Sequence, residues 1–405
     1  MEKPNVYIFN PTCDMAVLNR SVSYMPPARL RAFEHDLATI MLWLASPSDM
    51  VVVPSLPDGS FLQALKNSGA ELPIFITWEQ LRKYGHTFGE IRPWGWSPEM
   101  HHRTKALKAK CNPVFQSLPV ATWQPGHLNF FSRQTNQSLV EEIAAVTAAH
   151  PRIAVKDLPL AVRSVDQARK ALECFGHKAV FKTPWSSSGR GVMMVDRLSG
   201  RMADERWLAG AIRQQSFLMA EPLYQKVFDM SFHFWLHPNG QFDYLGHNFF
   251  TTDHGGKFQG CFLNEMPLGI KTNAGHILAD TIKEAKGLLL SALPKLRMEN
   301  LYSGPVGVDA LWYLDESGAL KLQPAIEANL RYTMGLVNLM MRKKLNSAAE
   351  ATWQIGQFEE NGWEKTYREK FNGGPAMGKS MPLVPQNARL FGAWIDFNAN
   401  GPPQL

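Results

Sequence analysis

Short apolar runs alternate with helical runs over the first 95 residues, and this order constrains the fold more than any other feature of the sequence. The strand-like runs are residues 5–9, 50–53 and 73–77, and the helical runs are residues 28–45 and 61–68. Because parallel strands need crossover connections, which are usually helices, the pattern predicts an open, doubly wound α/β sheet. No Gly-x-Gly-x-x-Gly follows the first run, so dinucleotide binding is not predicted there.

The composition is that of an ordinary folded protein. The 405 residues suit two or three domains, since a domain usually holds about 100 to 200 residues. Basic residues number 42 against 36 acidic ones, an excess that phosphate ligands explain as readily as nucleic acid does, so we expect no nucleic-acid partner.

The four cysteines lack the close pairing of zinc sites or disulfide frameworks. The sequence shows no signal peptide, and its strongest apolar run is about half of the roughly 20 residues of a membrane span, so we expect a cytoplasmic protein without a membrane partner.

Two helix starts are indicated by side chains that cap backbone N–H groups. Ser97 before Pro98 predicts a helix that begins at the proline, whose missing N–H is no loss in a first turn. Ser164 followed by Gln167 is a capping-box pattern, and the helix that it starts is predicted to reach Cys174.

A loop of small residues joins two strand-like runs in the middle of the chain. Residues 178–182 end in Lys182, and residues 192–195 form the second run. Small side chains let backbone N–H groups approach phosphate oxygens, and Lys182 adds a positive charge. The candidate phosphate-binding residues of the loop are Ser186, Ser187, Ser188, Gly189, Arg190 and Gly191. A plain hairpin turn with a solvated Arg190 is the alternative, and a Walker A loop is excluded because no Gly-Lys-Ser/Thr precedes a helix.

A second segment has the pattern of an adenine-binding linker. A strand over residues 217–220 leads into Glu221, Pro222 and Leu223, whose extended backbone offers N–H and C=O groups to an adenine edge. Asp229 follows, and its carboxylate is a candidate acceptor for ribose hydroxyls. A surface carboxylate near a turn is the alternative for Asp229.

The most informative segment contains two carboxylates and an amide. Asp309 ends the run 304–309, and Glu327, Asn329 and Arg331 follow a predicted hairpin near residues 315–318. At the two-residue period of a strand, Glu327, Asn329 and Arg331 are predicted to share one face, which Asp309 completes from the neighbouring strand. Carboxylate and amide oxygens suit Mg²⁺, whereas zinc favours His or Cys. The alternative is the polar outer face of an antiparallel hairpin.

Taken in order, these segments resemble the ATP-grasp superfamily over about half of the chain. The resemblance implies a Rossmann-like N-terminal domain (residues 1–115) and a two-subdomain ATP-grasp fold of mixed α/β and α+β type. The predicted subdomains are residues 116–218, with the phosphate loop, and residues 219–345, with the metal site. Residues 346–405 form a C-terminal extension without a recognisable motif.

The resemblance also implies roles for individual residues. Lys182 is expected to contact the α- and β-phosphates of ATP, the 186–191 loop to cover the phosphates, and residues 221–223 to meet adenine. Asp309, Glu327 and Asn329 are expected to hold Mg²⁺. Arg133 stands upstream where the superfamily usually has a lysine. Two departures are Leu330, where proline is frequent, and Asp229, where glutamate is frequent.

Most ATP-grasp enzymes transfer a phosphoryl group to a carboxylate, giving an acyl phosphate that an amine or a thiol attacks. Arg331 is the candidate for steadying the transferred group, because a guanidinium binds such oxygens in bidentate fashion. Lys257 is a second catalytic candidate, in a glycine-containing loop that also holds His254. A small-molecule kinase and a non-catalytic nucleotide-binding protein are the alternatives, and the sequence leaves both substrates open.

Overall fold

The computed structural model describes residues 3–147, 150–186, 189–197, 200, 203–253, 255–263, 268–345, 351–371 and 380–397. The strands, in chain order, are β1 (Val6–Ile8), β2 (Met50–Val53), β3 (Ile74–Thr77), β4 (Ile91–Pro93), β5 (Leu160–Val162), β6 (Lys178–Lys182), β7 (Val192–Asp196), β8 (Leu218–Pro222), β9 (Gln225–Leu236), β10 (Phe242–Thr252), β11 (Phe258–Phe262), β12 (Gly304–Leu314), β13 (Leu320–Asn329), β14 (Ala351–Gln357), β15 (Ser380–Pro382) and β16 (Phe391–Phe397). The α-helices are α1 (Cys13–Asn19), α2 (Ala28–Asp36), α3 (Gly59–Asn67), α4 (Trp78–Lys83), α5 (Pro98–Arg103), α6 (Lys105–Lys108), α7 (Pro113–Ser117), α8 (His127–Phe130), α9 (Gln134–Thr147), α10 (Val165–Cys174), α11 (Glu205–Gln215), α12 (Leu268–Ala292), α13 (Met334–Leu345) and α14 (Gly362–Phe371).

The chain forms two compact units. The first comprises Met1–Trp123, Gln259–Pro267 and Arg331–Leu405, and the second comprises Gln124–Phe258 and Leu268–Leu330. Residues 346–405, predicted as a C-terminal extension, thus belong to the same unit as the N-terminal residues. No helix in the described ranges is long and apolar enough to cross a membrane.

The predicted parallel sheet of the first unit is confirmed. Its strand order is β3-β2-β1-β4, and every pair is parallel. All four residues of β2 are buried apolar side chains, as expected for a strand covered on both faces. The helix predicted over residues 28–45 is wrong in one respect: α2 ends at Asp36, and a 3₁₀ helix follows at Ala38–Trp43. Asp36 explains the break, because its buried carboxylate accepts the backbone N–H groups of Leu390 and Phe391.

The remaining strands of the first unit are β11, β14, β16 and β15, which pair in that order in antiparallel fashion. The predicted helix start at Ser97 is confirmed, because its side chain accepts the N–H of Met100 and Pro98 is the first helical residue.

The second unit contains a sheet with the order β5-β8-β6-β7, in which all pairs are antiparallel. Apolar side chains of α10 and α11 pack on it around the fully buried Phe181. The predicted strand, loop and strand from residue 178 to residue 195 are present as β6 and β7. The helix start at Ser164 is also confirmed, and α10 ends at the predicted Cys174.

Four more strands of the second unit pair in the order β13-β12-β9-β10, again antiparallel. The β12–β13 ladder contains a bulge: Asp309 lies opposite Glu327, but Leu311 lies opposite Gln323. Two positions of β12 therefore span four of β13, and Pro324, which has no N–H to donate, lies in the extra segment.

Candidate functional site

The two carboxylates predicted to hold a metal lie side by side in the second unit. Asp309 and Glu327 are directly opposite each other across β12 and β13, and Gly307 is opposite Asn329. Directly opposite residues project from the same face of a sheet, so Asp309, Glu327 and Asn329 share one face. The Nδ2 of Asn329 donates to the Oδ2 of Asp309 over 3.1 Å.

This donor set fits a hard divalent cation. Two carboxylates and an amide oxygen are the ligands from which Mg²⁺ sites are built, together with water and nucleotide phosphates. In the parts of the chain that the structure describes, no group of three or more His, Cys, Asp or Glu side chains is suited to hold a metal ion.

Lys182 lies at the end of β6 and is buried, at 8% exposure. Its Nζ contacts the Oε2 of Glu221 at 2.6 Å and donates to the carbonyl oxygen of Ile326 at 3.0 Å. Ile326 is the residue before Glu327, so Lys182 links the phosphate-loop strand directly to the strand that carries the carboxylate.

Arg133 makes a second link between the same two elements. Its Nη1 donates to the carbonyl oxygen of Thr183 and to the Oγ of Ser186, the latter over 2.7 Å. Its Nη2 donates to the Oε1 of Glu327 over 2.9 Å. The predicted phosphate loop and the predicted metal carboxylate are thus joined by one buried guanidinium.

The predicted phosphate loop also lies close to the loop that holds Lys257. Gly189 has φ +71°, and a Cβ added there would lie 2.9 Å from the backbone nitrogen of Lys257. Asp253 shapes the second loop, because its Oδ1 accepts the N–H groups of Gly255 and Lys257. Only a residue without a side chain fits at position 189. Ser187, Ser188 and His254 lie outside the described residues.

The strand before the predicted adenine linker, which was expected to end at residue 220, extends to Pro222. Glu221 and Pro222 belong to β8, and Leu223 follows it, donating its N–H to the carbonyl of Lys178 over 3.1 Å. Glu221 is buried, and its carboxylate pairs with Lys182 of the neighbouring strand. The carboxylate of Asp229 is also engaged, by Lys226 Nζ at 2.7 Å and Thr252 Oγ1 at 2.8 Å.

Arg331 departs from its predicted position. Strand β13 ends at Asn329, so Arg331 does not continue the alternation that places Glu327 and Asn329 on one face. Arg331 belongs to the first unit, where its Nε donates to the Oδ2 of Asp14 over 3.2 Å. The next residue, Tyr332, donates its N–H to the carbonyl oxygen of Trp94, and this bond anchors the segment to the loop after β4.

Three polar residues next to the carboxylates were missed by the sequence interpretation. Ser231 of β9 lies opposite Asp309, and Asn248 of β10 lies opposite Ser231. His233 completes the group: its Nε2 lies 2.9 Å from the Oγ of Ser231 and 2.8 Å from the Oδ1 of Asn248. Burial lowers the pKa of His233 to about 4, which keeps the imidazole neutral at pH 7.

No protein-family model and no curated protein matches the chain. Similar solved structures include an N5-carboxyaminoimidazole synthetase from Staphylococcus aureus, with a TM-score of 0.49 and 11% identity over 99% of this chain and 95% of that one. They also include a biotin carboxylase complex from Campylobacter jejuni, with a TM-score of 0.47 and 14% identity over 98% of this chain and 87% of that one. A synthase of the first kind from Aspergillus clavatus has a TM-score of 0.48 and 8% identity over 98% and 95% of the two chains. All three TM-scores lie below 0.5, so the likeness of this chain to the ATP-grasp superfamily rests on its own residues and strands.

Proposed function

We propose that this protein is an ATP-dependent ligase of the ATP-grasp type, which activates a carboxylate as an acyl phosphate for attack by an amine or a thiol. One observation carries the proposal. Arg133 contacts both Ser186 of the phosphate loop and Glu327 of the carboxylate pair. The two alternatives are a plain hairpin turn for the loop and a solvated polar face for the strand. Neither alternative accounts for a buried guanidinium that contacts both segments.

Different residues of the second unit have different roles in the proposed phosphoryl transfer. Bound Mg²⁺ would neutralise charge on the β- and γ-phosphates, and Asp309, Glu327 and Asn329 would hold it. Lys182 places a positive charge at the end of β6. The phosphate loop supplies backbone N–H groups, and the backbone of Lys257 lies close to Gly189 of that loop.

The proposed reaction has two steps. A carboxylate oxygen of the acid attacks the γ-phosphorus, and the bond to the β-phosphate oxygen breaks, which releases ADP. The amine nitrogen or thiol sulfur then attacks the acyl carbon and gives up its proton to the departing phosphate or to solvent, while the C–O bond to phosphate breaks and inorganic phosphate leaves. Electrostatic stabilisation by fixed cations dominates such a transfer.

ADP release by the full-length protein with Mg²⁺ and ATP tests the proposal, with panels of carboxylic acids and amines added. A ligase requires both an acid and a nucleophile. Hydroxylamine traps an acyl phosphate as a hydroxamate, whereas a kinase leaves a stable phosphorylated product. Glu327→Gln replaces a proposed carboxylate ligand by a neutral amide and should abolish turnover, while Glu316→Gln, at an exposed carboxylate on the same hairpin, should leave turnover intact. Equal turnover in Glu327→Gln and the unchanged protein would refute the metal assignment.

A further inference from the structure

The guanidinium of Arg133 contacts two chemically different parts of the candidate site. Arg133 lies between α8 and α9, and its own backbone N–H donates to the carbonyl oxygen of Pro184 over 3.1 Å. On one side its Nη1 donates to the carbonyl oxygen of Thr183, just after β6, and to the Oγ of Ser186, the first residue of the phosphate loop. On the other side its Nη2 binds Glu327, whose partner across the ladder is Asp309.

These contacts fix the relative positions of the loop and the carboxylate. A guanidinium is planar and its N–H groups form a rigid fork, so its partners on the two nitrogens cannot move independently without losing a hydrogen bond. The bonds are shielded from water, because Arg133 is only 6% exposed, and buried charge-assisted hydrogen bonds are stronger than exposed ones. A shift of Glu327 is therefore transmitted to Ser186, and the reverse also holds.

Two atoms beside these bonds show unused hydrogen-bonding capacity. Within the described residues, the Nε of Arg133 and the Oγ1 of Thr183 are buried and have no hydrogen-bond partner. A buried polar atom without a partner costs about 1 to 3 kcal/mol, and native proteins retain few of them. Both atoms lie where Arg133 meets the phosphate loop, which is where an anionic ligand would bring acceptor oxygens.

We propose that Arg133 is a positioning residue that makes nucleotide binding and Mg²⁺ binding depend on each other. The inference rests on the proposed function and adds a coupling to it. A ligand that orders the phosphate loop orders Glu327 through the same side chain, and Mg²⁺ at Glu327 orders the loop. Since coupling between two binding equilibria is reciprocal, one factor describes both directions.

Titration calorimetry of ADP into the full-length protein, with and without magnesium chloride, measures that factor. In the unchanged protein we expect Mg²⁺ to tighten ADP binding by about 10-fold or more, within the usual range of such couplings. Arg133→Lys keeps the charge but replaces the fork by a single ammonium, so the ratio should fall to about 3-fold or less. Arg169→Lys, an arginine paired with Asp166 and Glu205 on the surface of the same unit, is the matched control and should keep the full ratio.

An unaltered ratio in a folded Arg133→Lys protein would overturn the inference. If that variant does not fold, Ser186→Ala decides instead, because it removes only the hydroxyl that accepts from Nη1 and should also lower the ratio. A full ratio in Ser186→Ala would then count against the coupling. Absence of ADP binding in the unchanged protein would instead refute the proposed function, so the two failures are distinguishable.

Discussion

Lys182 and Glu221 form an ion pair across adjacent strands, with 2.6 Å between Nζ and Oε2 and both side chains largely shielded from water. The two residues are 39 positions apart in the sequence, and β6 and β8 are neighbours only in the folded sheet. The pair fixes the direction of the lysine at the end of its strand.

We expect Glu221→Gln to destabilise the protein by about 3 kcal/mol, because removal of one partner leaves a buried charge without its counter-ion. The free energy of unfolding, from urea denaturation, measures the effect. Glu205→Gln breaks an exposed pair with Arg169 and should change stability by less than about 0.5 kcal/mol. Similar unfolding free energies for the two variants would contradict the prediction.

Asp309→Asn is expected to raise the melting temperature of the protein without ligand and to reduce the further rise that ligand causes. Directly opposite like charges on a sheet destabilise it by roughly 0.2 to 1 kcal/mol, so the substitution should raise the melting temperature in EDTA. It also replaces a proposed Mg²⁺-binding carboxylate by a neutral amide, which binds the cation more weakly, so the gain in melting temperature on adding ADP and magnesium chloride should shrink. Thermal unfolding under the two conditions measures both effects, and Glu316→Gln is the control. A variant that kept the full ligand-dependent gain would exclude Asp309 from the metal site.

His233 should make stability depend on pH. Its folded pKa of about 4 lies below the ordinary value of 6.5, so between these values the unfolded chain binds a proton that the folded chain does not. The contribution of neutral His233 to the free energy of unfolding is therefore fully present above pH 6.5. This contribution falls by about 3 kcal/mol as the pH drops to 4. His233→Gln should flatten this part of the profile of unfolding free energy against pH, relative to the exposed control His237→Gln. Parallel profiles for the two variants would rule out the assignment.

Gly189→Ala should impair nucleotide handling through backbone contact. The added methyl group would meet the backbone of Lys257 at about 3 Å, at a φ that already disfavours side chains. We expect kcat/KM for ATP to fall by 10-fold or more, on the order of the loss that small displacements cause. Gly200 has a similar φ, but a Cβ added there would meet no atom within 4 Å. Gly200→Ala therefore introduces backbone strain without a new contact, and it should lower the free energy of unfolding by only about 1 kcal/mol. Equal kinetic effects would show that the loop contact has no role.

Local patterns predicted a large part of the fold and the position of the carboxylate pair. The capping residue Ser97, the strand that ends at Lys182 and the hairpin that pairs Asp309 with Glu327 all depend on residues close together in the sequence. Turn residues and a two-residue period are sufficient to recognise such elements.

The rest depends on strand pairing between distant segments. Ser231 and His233 lie on a strand that is buried on both faces, so no alternation of polar and apolar residues marks them as a group. Only the register of β9 against β10 and β12 brings Asn248 and Asp309 beside them. The end of β13 before Arg331 was likewise not visible, because the alternating pattern continues past Asn329.

The bulge in β13 leaves the carboxylate of Glu327 on the same face of the sheet as Gln323. Gln323 and Glu327 are four positions apart, an even number, so they project from the same face although the ladder is interrupted. Loss of the two extra residues would give a regular ladder in which Glu327 still lies opposite Asp309 and projects from the same face. The extra segment at Pro324 therefore adds length to β13 without changing the face on which the carboxylate of Glu327 lies.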